Sequence, residues 1–464
     1  MPPLAGPLDE PASAFLRSRI DYERTSTVPY GHRDFRLDRM RELLARLGNP
    51  QDSLSIVHLA GTKGKGSTAA MIASVLSAAG LKTGLYSSPH LDRVEERLAI
   101  DAVPCPTEEL TRLVERLREP VLAMDVVPPP DPHTSNRPTY FEVITALALL
   151  RFAEAGVDAA VLEVGLGGRL DSTNVCRPSV SVITSISFDH MQQLGHTLGA
   201  IAGEKAGIIK PEVPVVSGVT ADEPREVIAA VARANHCRLV ELGRNFTFDY
   251  QPPRALERAP AHGRLSFRST AAEAECDLAD VELRLVGRHQ AANAAVALAA
   301  LGELRRLGWQ IPEQAVRLGL AGVRWPARIE VLSRRPTVVL DAAHNVASIE
   351  ALVSVLAESF SPGPRLLVFA TTRDKDARGM LAALLPAFDQ VIFTRYLENP
   401  RGTPIEDLAA IAAELSDKTP QVCPDPASAW KRACELATPE HLVCITGSFF
   451  IAAEVQAAFR AQRP

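Results

Sequence analysis

The chain has 464 residues, 46% hydrophobic and 23% charged, with a formal net charge of −5. That length allows two or three domains, and an acidic balance without a basic domain argues against a general nucleic-acid binder. Seven scattered cysteines with no C-x-x-C pair, no signal sequence and no apolar run of membrane-spanning length predict a cytoplasmic, non-membrane protein without disulfides.

After an N-terminus expected to fray, Phe35 to Leu47 repeats apolar residues at helical spacing. It stops at Gly48-Asn49-Pro50, a C-cap followed by a breaker. Short β-rich runs at 54–60, 82–87, 157–163, 180–186 and 213–217 then alternate with helical runs at 68–79, 107–118, 140–154, 198–206 and 223–235. This alternation predicts an α/β fold with a mainly parallel sheet. The proline-rich stretch Val126 to Pro138 reads as a loop, and residues 245–284 as antiparallel hairpins finishing the first domain. A helix is expected from His289 to Leu307. After the break at Trp325-Pro326, strands near 337–341, 365–370, 390–394 and 441–446 begin a smaller Rossmann-like α/β series. The expected domains are 1–324 and 325–464.

The most telling motif is Gly61-Thr62-Lys63-Gly64-Lys65-Gly66-Ser67-Thr68, between a predicted strand and a predicted helix. Glycines let successive N–H groups point inward, the helix start adds a positive end, and Lys65 brings a full charge. Together they make a cradle for a nucleotide triphosphate. A glycine separates Lys65 from Ser67, which points away from ordinary kinases and GTPases.

Further strand ends carry polar groups, where open α/β sheets place ligands. Ser88, after the strand 82–87, offers a hydroxyl to Mg²⁺, although Ser-Ser-Pro is also simple turn punctuation. Glu163 ends an apolar strand, where a carboxylate is costly to bury without a compensating cation. Asp189 and His190 end the strand 180–186, and Lys205 lies on a helix where a solvated lysine is the bland alternative. In the second half, Asp341, His344 and Asn345 end one strand, Arg373-Asp374-Lys375-Asp376 follows the next, and Thr446-Gly447-Ser448-Phe449 follows the last.

The motifs GTKGKGST, SSPHL (87–91), TYFE (139–142), LEVGLGGRLDSTN (162–174), SFDH (187–190), EKAGIIK (204–210), WPAR (325–328), DAAHN (341–345) and TGSFF (446–450) occur in one order across nearly the whole chain. In that arrangement the sequence resembles the dihydrofolate synthase/folylpolyglutamate synthase family of the Mur ligase superfamily. The resemblance implies a P-loop ATPase domain and a smaller C-terminal ligase domain, whose cleft joins ATP, a pterin-linked carboxylate and L-glutamate. The pterin substrate would be dihydropteroate or a reduced folate, activated as an acyl phosphate. By position, Thr62, Lys63, Gly64, Lys65, Gly66 and Ser67 would hold the triphosphate, with Lys65 on the β/γ-phosphates. Asn293, Arg328 and Asp341 would contact ATP, with His344 beside them in the cleft. Ser88 and Glu163 would ligate one Mg²⁺ and His190 a second. Lys205 matches a lysine that the family carbamylates. Thr139, Tyr140, Phe141 and Glu142, with Leu170, Asp171 and Ser172, match pterin-binding segments. The resemblance allows a monovalent cation as well, and a monomer is expected.

Lys63 departs from the family loop, which usually has Asn there. A ligase acting on a UDP-sugar peptide would need a further domain before the loop, and 60 residues precede Gly61. A nucleotide switch would not need the second set of acid and His strand ends. A catalytically dead folate binder would not be expected to keep Ser88, Glu163, His190 and Lys205.

Overall fold

The computed structural model describes residues 8–23, 35–129, 134–270, 277–397 and 399–461. They form two compact units: 1–249, 266–281 and 292–323 in the first, and 250–265, 282–291 and 324–464 in the second. Besides the residues after the expected break, two earlier segments therefore group with the second unit. The stretch read as hairpins finishing the first domain is divided between the two.

In the first unit, strands β1 (Ile56–Ala60), β2 (Thr83–Tyr86), β3 (Leu98–Ile100), β4 (Ala159–Glu163), β5 (Val180–Ile183), β6 (Val215–Ser217) and β7 (Leu239–Glu241) make one sheet. Its order is β3-β2-β4-β1-β5-β6-β7, and every neighbour is parallel except the β2–β3 pair. β1 and β4 are buried along their whole length, which explains why they are apolar on both faces except at His58 and Glu163. The helix Lys65–Ala78 is packed by a second helix, Glu313–Gly322. A Cβ on Gly319 would stand 2.6 Å from the Val75 Cα, so a larger residue would force the two helices apart.

A second sheet, β8 (Phe246–Gln251), β9 (Gly263–Ser269) and β10 (Leu278–Leu283), has the order β10-β9-β8. The second unit carries β11 (Glu330–Arg334), β12 (Thr337–Leu340), β13 (Arg365–Phe369), β14 (Gln390–Phe393), β15 (Gln421–Val422) and β16 (Leu442–Thr446), in the order β11-β12-β16-β13-β14-β15. Only the β11–β12 pair is antiparallel. Leu367, Phe369, Phe393 and Cys444 of these strands join Leu352, Leu356 and Leu381 of the flanking helices in one core.

The N-terminus corrects one expectation. Glu10–Arg17 is a helix, capped by Asp9, whose Oδ1 accepts from Ala12 N at 2.9 Å, with Pro11 in its first turn. Proline suits a first helical turn because those N–H groups have no helical partner, so the proline content there is a start signal. The helix Thr107–Asp125 also runs through Pro120 instead of stopping before it. The strands β3, β7, β11 and β15 escaped the sequence reading; β3, β7 and β15 are too short to show a period, while β11 is a half-buried polar strand without an apolar run. The described cysteines are free, and Cys276 lies outside the described residues. Among the described residues no helix is long and apolar enough to cross a membrane.

One buried ion pair anchors the first unit. Arg39 Nε donates to both oxygens of Glu142 at 2.9 Å, and both side chains are almost fully enclosed. Removing one partner strands the other charge, which costs about 3–5 kcal/mol. Arg39→Ala should therefore lower the urea unfolding midpoint clearly, and an unchanged midpoint would show the pair to be dispensable.

Candidate active site

Strands β2, β4, β1 and β5 lie side by side and run parallel, so their C-terminal residues share one edge of the sheet. β1 leads into Gly61 to Gly64, and the helix Lys65–Ala78 begins at once. A Cβ on Gly61, at φ +153°, would stand 1.9 Å from Thr184 Oγ1. Gly64 is the helix N-cap in the left-handed region, φ +81°, and a Cβ there would meet Asn293 Oδ1 at 2.1 Å. Glycine alone meets both demands. The helix has no side-chain cap, which leaves its first N–H groups to the loop's ligand.

The end of β5 clamps the loop. Thr62 N donates to Ser185 O at 2.7 Å, Lys63 N to Ser185 Oγ at 3.0 Å, and Thr184 Oγ1 to Lys63 O at 2.7 Å. Thr62 Oγ1 donates to Ser187 O and accepts from Ser187 N. Thr184 and Ser185 were invisible as site residues in the sequence, because their role is to hold backbone. In the first helical turn, Ser67 is 2% exposed, and the buried Thr68 Oγ1 has no partner among the described residues.

Two lysines converge on one oxygen. Lys65 Nζ donates to Gly61 O at 3.1 Å, and Lys205 Nζ donates to the same oxygen at 2.9 Å. Burial, and then the Lys65 charge, push the Lys205 ammonium down to a pKa of about 7.

Beside them, Ser88 N donates to Glu163 Oε2 at 3.3 Å, so the two residues expected to share a cation are adjacent. A buried carboxylate with a serine next to it is an all-oxygen set, which suits Mg²⁺ with phosphate oxygens and waters completing the shell. Among the described residues no three His, Cys, Asp or Glu side chains form a metal cluster. His190 sits in the left-handed region at φ +49°. Its side chain is 45% exposed, and Nε2 lies 3.9 Å from Asp189 Oδ1.

The segments matched to pterin binding also converge. A Cβ on Gly165 would stand 2.4 Å from Phe141 Cζ, and Phe141 packs against Tyr86. Several of their polar atoms are already engaged. Thr139 and Glu142 form a capping box for the helix Tyr140–Ala155, and Glu142 also holds Arg39. Asp171 accepts from the N–H groups of Gly165, Leu166 and Thr173 and from the Thr173 hydroxyl, so its carboxylate shapes the glycine loop. Ser172 Oγ pairs with Thr145 Oγ1, which pairs with the Tyr86 hydroxyl. Leu170 is buried, while Tyr140 faces the Arg97 guanidinium at 5.7 Å.

In the second unit, Asp341 Oδ2 accepts from Ile329 N at 2.9 Å and Oδ1 from Ala343 N at 2.8 Å. It thereby fixes the turn that carries Arg328, flanked by Ala327 and Ile329 at positive φ. The Arg328 guanidinium lies 4.7 Å from the Phe449 ring centre, and the His344 ring packs 6.0 Å from the same ring. Phe449 belongs to the strand-end stretch Thr446 to Phe449 that the sequence pointed to, but it was given no role of its own. The carbonyl of Ala342 can only accept, so His344 Nδ1 carries the proton and Nε2 is left as an acceptor when the ring is neutral.

The Mur ligase middle domain matches residues 59–301, and the Mur ligase glutamate ligase domain matches residues 327–449. The dihydrofolate synthase/folylpolyglutamate synthase of Bacillus subtilis is 36% identical over 90% of this chain and 94% of its own. The chain belongs to the dihydrofolate synthase/folylpolyglutamate synthase family of Mur ligases. As a member of that family it is a ligase that forms carbon–nitrogen bonds. Folylpolyglutamate synthase of Lacticaseibacillus casei is also 36% identical, over 93% of this chain and 97% of its own. Among solved structures, Mycobacterium tuberculosis folylpolyglutamate synthase complexed with ADP superimposes with a TM-score of 0.84 at 33% identity, covering 98% of both chains. The E. coli FolC structure in complex with DHPP and ADP gives 0.81 at 31%, covering 99% of this chain and 100% of that one.

Proposed function

We propose that this ligase activates the carboxylate of dihydropteroate, or of a reduced folate carrying glutamate, with ATP, and joins it to the amine of L-glutamate. The observation that carries the reading is that the Gly61–Gly64 loop with Lys65 and the Glu163 carboxylate with its neighbour Ser88 follow strands of one parallel sheet edge. A carboxylate is a poor electrophile, so its oxygen first takes the γ-phosphoryl group, giving an acyl phosphate and ADP. The glutamate amine then attacks the acyl carbon, and the carbon–oxygen bond to phosphate breaks.

That first step brings several anionic oxygens together. Lys65 and the loop N–H groups offset their charge, and Arg328, steadied on Phe449, adds a second cation. Mg²⁺ held by Ser88 and Glu163, with His190 serving a second ion, would screen the transferring phosphoryl group. His344 Nε2 is placed to accept a hydrogen bond, and we assign it to orienting the attacking amine. Asn293, against Gly64, borders the nucleotide loop. Phe141, Leu170 and the neighbouring Tyr140 give the pterin side an apolar wall. Thr139, Glu142, Asp171 and Ser172 act on it through the loops they shape. The enzyme acts as a cytoplasmic monomer in this reading, and any monovalent cation would serve beside Mg²⁺.

Lys205 takes part as a carbamate in this account. Its neutral amine adds to CO₂ with loss of one proton, giving a carboxylate where a cation stood. A pKa of about 7 leaves most of the amine neutral at pH 8 and most of it protonated at pH 6. The carbamate signal from ¹³C-bicarbonate should therefore be strong at pH 8, fade toward pH 6, and vanish in Lys205→Arg. An equal signal in that variant would remove the assignment.

Both activities share these parts, and the SSPHL and TYFE motifs favour an enzyme with both. Product mass decides the matter. Dihydropteroate gaining one glutamate residue shows the first activity, and tetrahydrofolate gaining further residues shows the second. Conversion of neither would overturn the reading.

A further inference from the structure

β1 is apolar except at His58, and that imidazole has no part in the chemistry described so far. It lies in the strand that leads into Gly61, paired with Leu162 on one side and Ser181 on the other, and it is wholly buried. A ring nitrogen in such a place is costly unless it is hydrogen-bonded. His58 Nε2 lies 2.8 Å from Thr173 Oγ1, which is also wholly buried. Thr173 Oγ1 in turn lies 2.5 Å from Asp171 Oδ1. On the other side of the ring, Cys176 Sγ is 3.8 Å from Nδ1.

The protons of this chain of groups run one way. The Asp171 carboxylate takes the N–H groups of Gly165 and Leu166 on Oδ2 and that of Thr173 on Oδ1, so both its oxygens are acceptors. The Thr173 hydroxyl places its single proton on Oδ1, and the ring nitrogen on its other side has to donate. Burial, and then the Lys210 charge, hold the imidazole neutral with a pKa down to about 3, so it has one N–H to give. That proton is on Nε2. Nδ1 is therefore the acceptor, and it faces the Cys176 thiol, which burial keeps protonated. Donors thus follow one another from Cys176 through His58 and Thr173, ending on Asp171.

We propose that His58 is a positioning residue for the pterin side of the site, acting through Thr173 and Asp171 on the glycine loop after β4. Asp171 Oδ2 holds the Gly165 and Leu166 amides at 3.0 Å each. Gly165 is where that loop passes against Phe141, so closely that a Cβ there would stand 2.4 Å from the ring. A fixed Thr173 hydroxyl fixes the carboxylate, and the carboxylate sets how the loop meets the Phe141 wall. Ser172, between the two, is held from another direction by Thr145. β1 is the central strand of its sheet, so His58 ties the glycine loop to the same strand that leads into the nucleotide loop. Buried hydrogen bonds in series strengthen one another, so losing one member loosens the rest. The inference rests on the ligase reading above and on its placing the pterin at this loop.

Three single variants of the full-length enzyme test this by initial rates, with dihydropteroate or tetrahydrofolate, whichever the wild type converts. His58→Leu removes the donor, His58→Gln returns an amide N–H near the place of Nε2, and Thr173→Val removes the hydroxyl at nearly the same shape. In His58→Leu and Thr173→Val, KM for the pterin substrate should rise at least about tenfold while KM for ATP stays within about twofold, because a misplaced wall acts on the ligand it touches. His58→Gln should recover most of that loss. The double variant His58→Leu/Thr173→Val should be no worse than Thr173→Val alone, since the imidazole acts through that hydroxyl. Should His58→Leu not fold, His58→Asn takes its place: its amide ends near the position of Nδ1, short of Thr173, and the same contrast with His58→Gln is expected. An unchanged pterin KM, a rise shared equally with ATP, or additive losses in the double variant would overturn the proposal. Wild-type enzyme with no pterin-dependent turnover would refute the ligase reading itself, which keeps the two failures distinct.

Discussion

Lys65→Ala should lose ATP turnover by at least about a hundredfold, the scale seen when one preorganised charge partner of a transition state is removed. The argument starts from the backbone. Gly61 and Gly64 hold the loop open, β5 clamps it through Thr184 and Ser185, and the helix Lys65–Ala78 points its first N–H groups at the same place. The Lys65 ammonium turns back onto the loop, 3.1 Å from Gly61 O. A triphosphate would offer that ammonium better partners than a neutral carbonyl. The substitution leaves the buried helix face unchanged, so the thermal unfolding midpoint should stay close to wild type. Phosphate release at the wild-type rate would remove the nucleotide site from this loop.

Glu163→Gln should lower the rate at millimolar Mg²⁺ by roughly a hundredfold, as expected when a carboxylate ligand loses its charge at a fixed position. Glu163 ends β4 at 5% exposure, with the Ser88 amide 3.3 Å away. An amide side chain fills the same space and still accepts from Ser88 N, so packing is preserved while the negative charge is lost. Activity should return in part at high Mg²⁺, because the missing interaction is with the ion. A Mg²⁺ titration that matches wild type would show Glu163 to be a structural residue of the strand end.

Much of this arrangement is legible in the chain. β1 and β4 are buried on both faces, so they are mostly apolar, and the loop after β1 needs glycines that stand out in any reading. Glu163 stood out because a carboxylate at the end of an apolar strand demands a reason, whereas Ser88 and Lys205 had bland readings of their own and received site roles only through the family resemblance. What the sequence hid were roles played through backbone atoms. Thr184 and Ser185 clamp a loop, Asp341 holds the Arg328 turn through Ile329 N, and Asp171 holds a glycine loop. Asp171 and Asp341 were expected to touch ligands directly, yet their oxygens receive main-chain N–H groups. A side chain looks the same in a sequence whether it faces a ligand or a neighbouring amide.

The most direct test of the central claim is phosphate release by the purified enzyme with ATP and Mg²⁺, adding L-glutamate and the pterin substrate separately and together. The account predicts rapid release only when glutamate is present with dihydropteroate or tetrahydrofolate. Release at the same rate without any pterin would contradict it, leaving an ATPase whose folate chemistry does not exist.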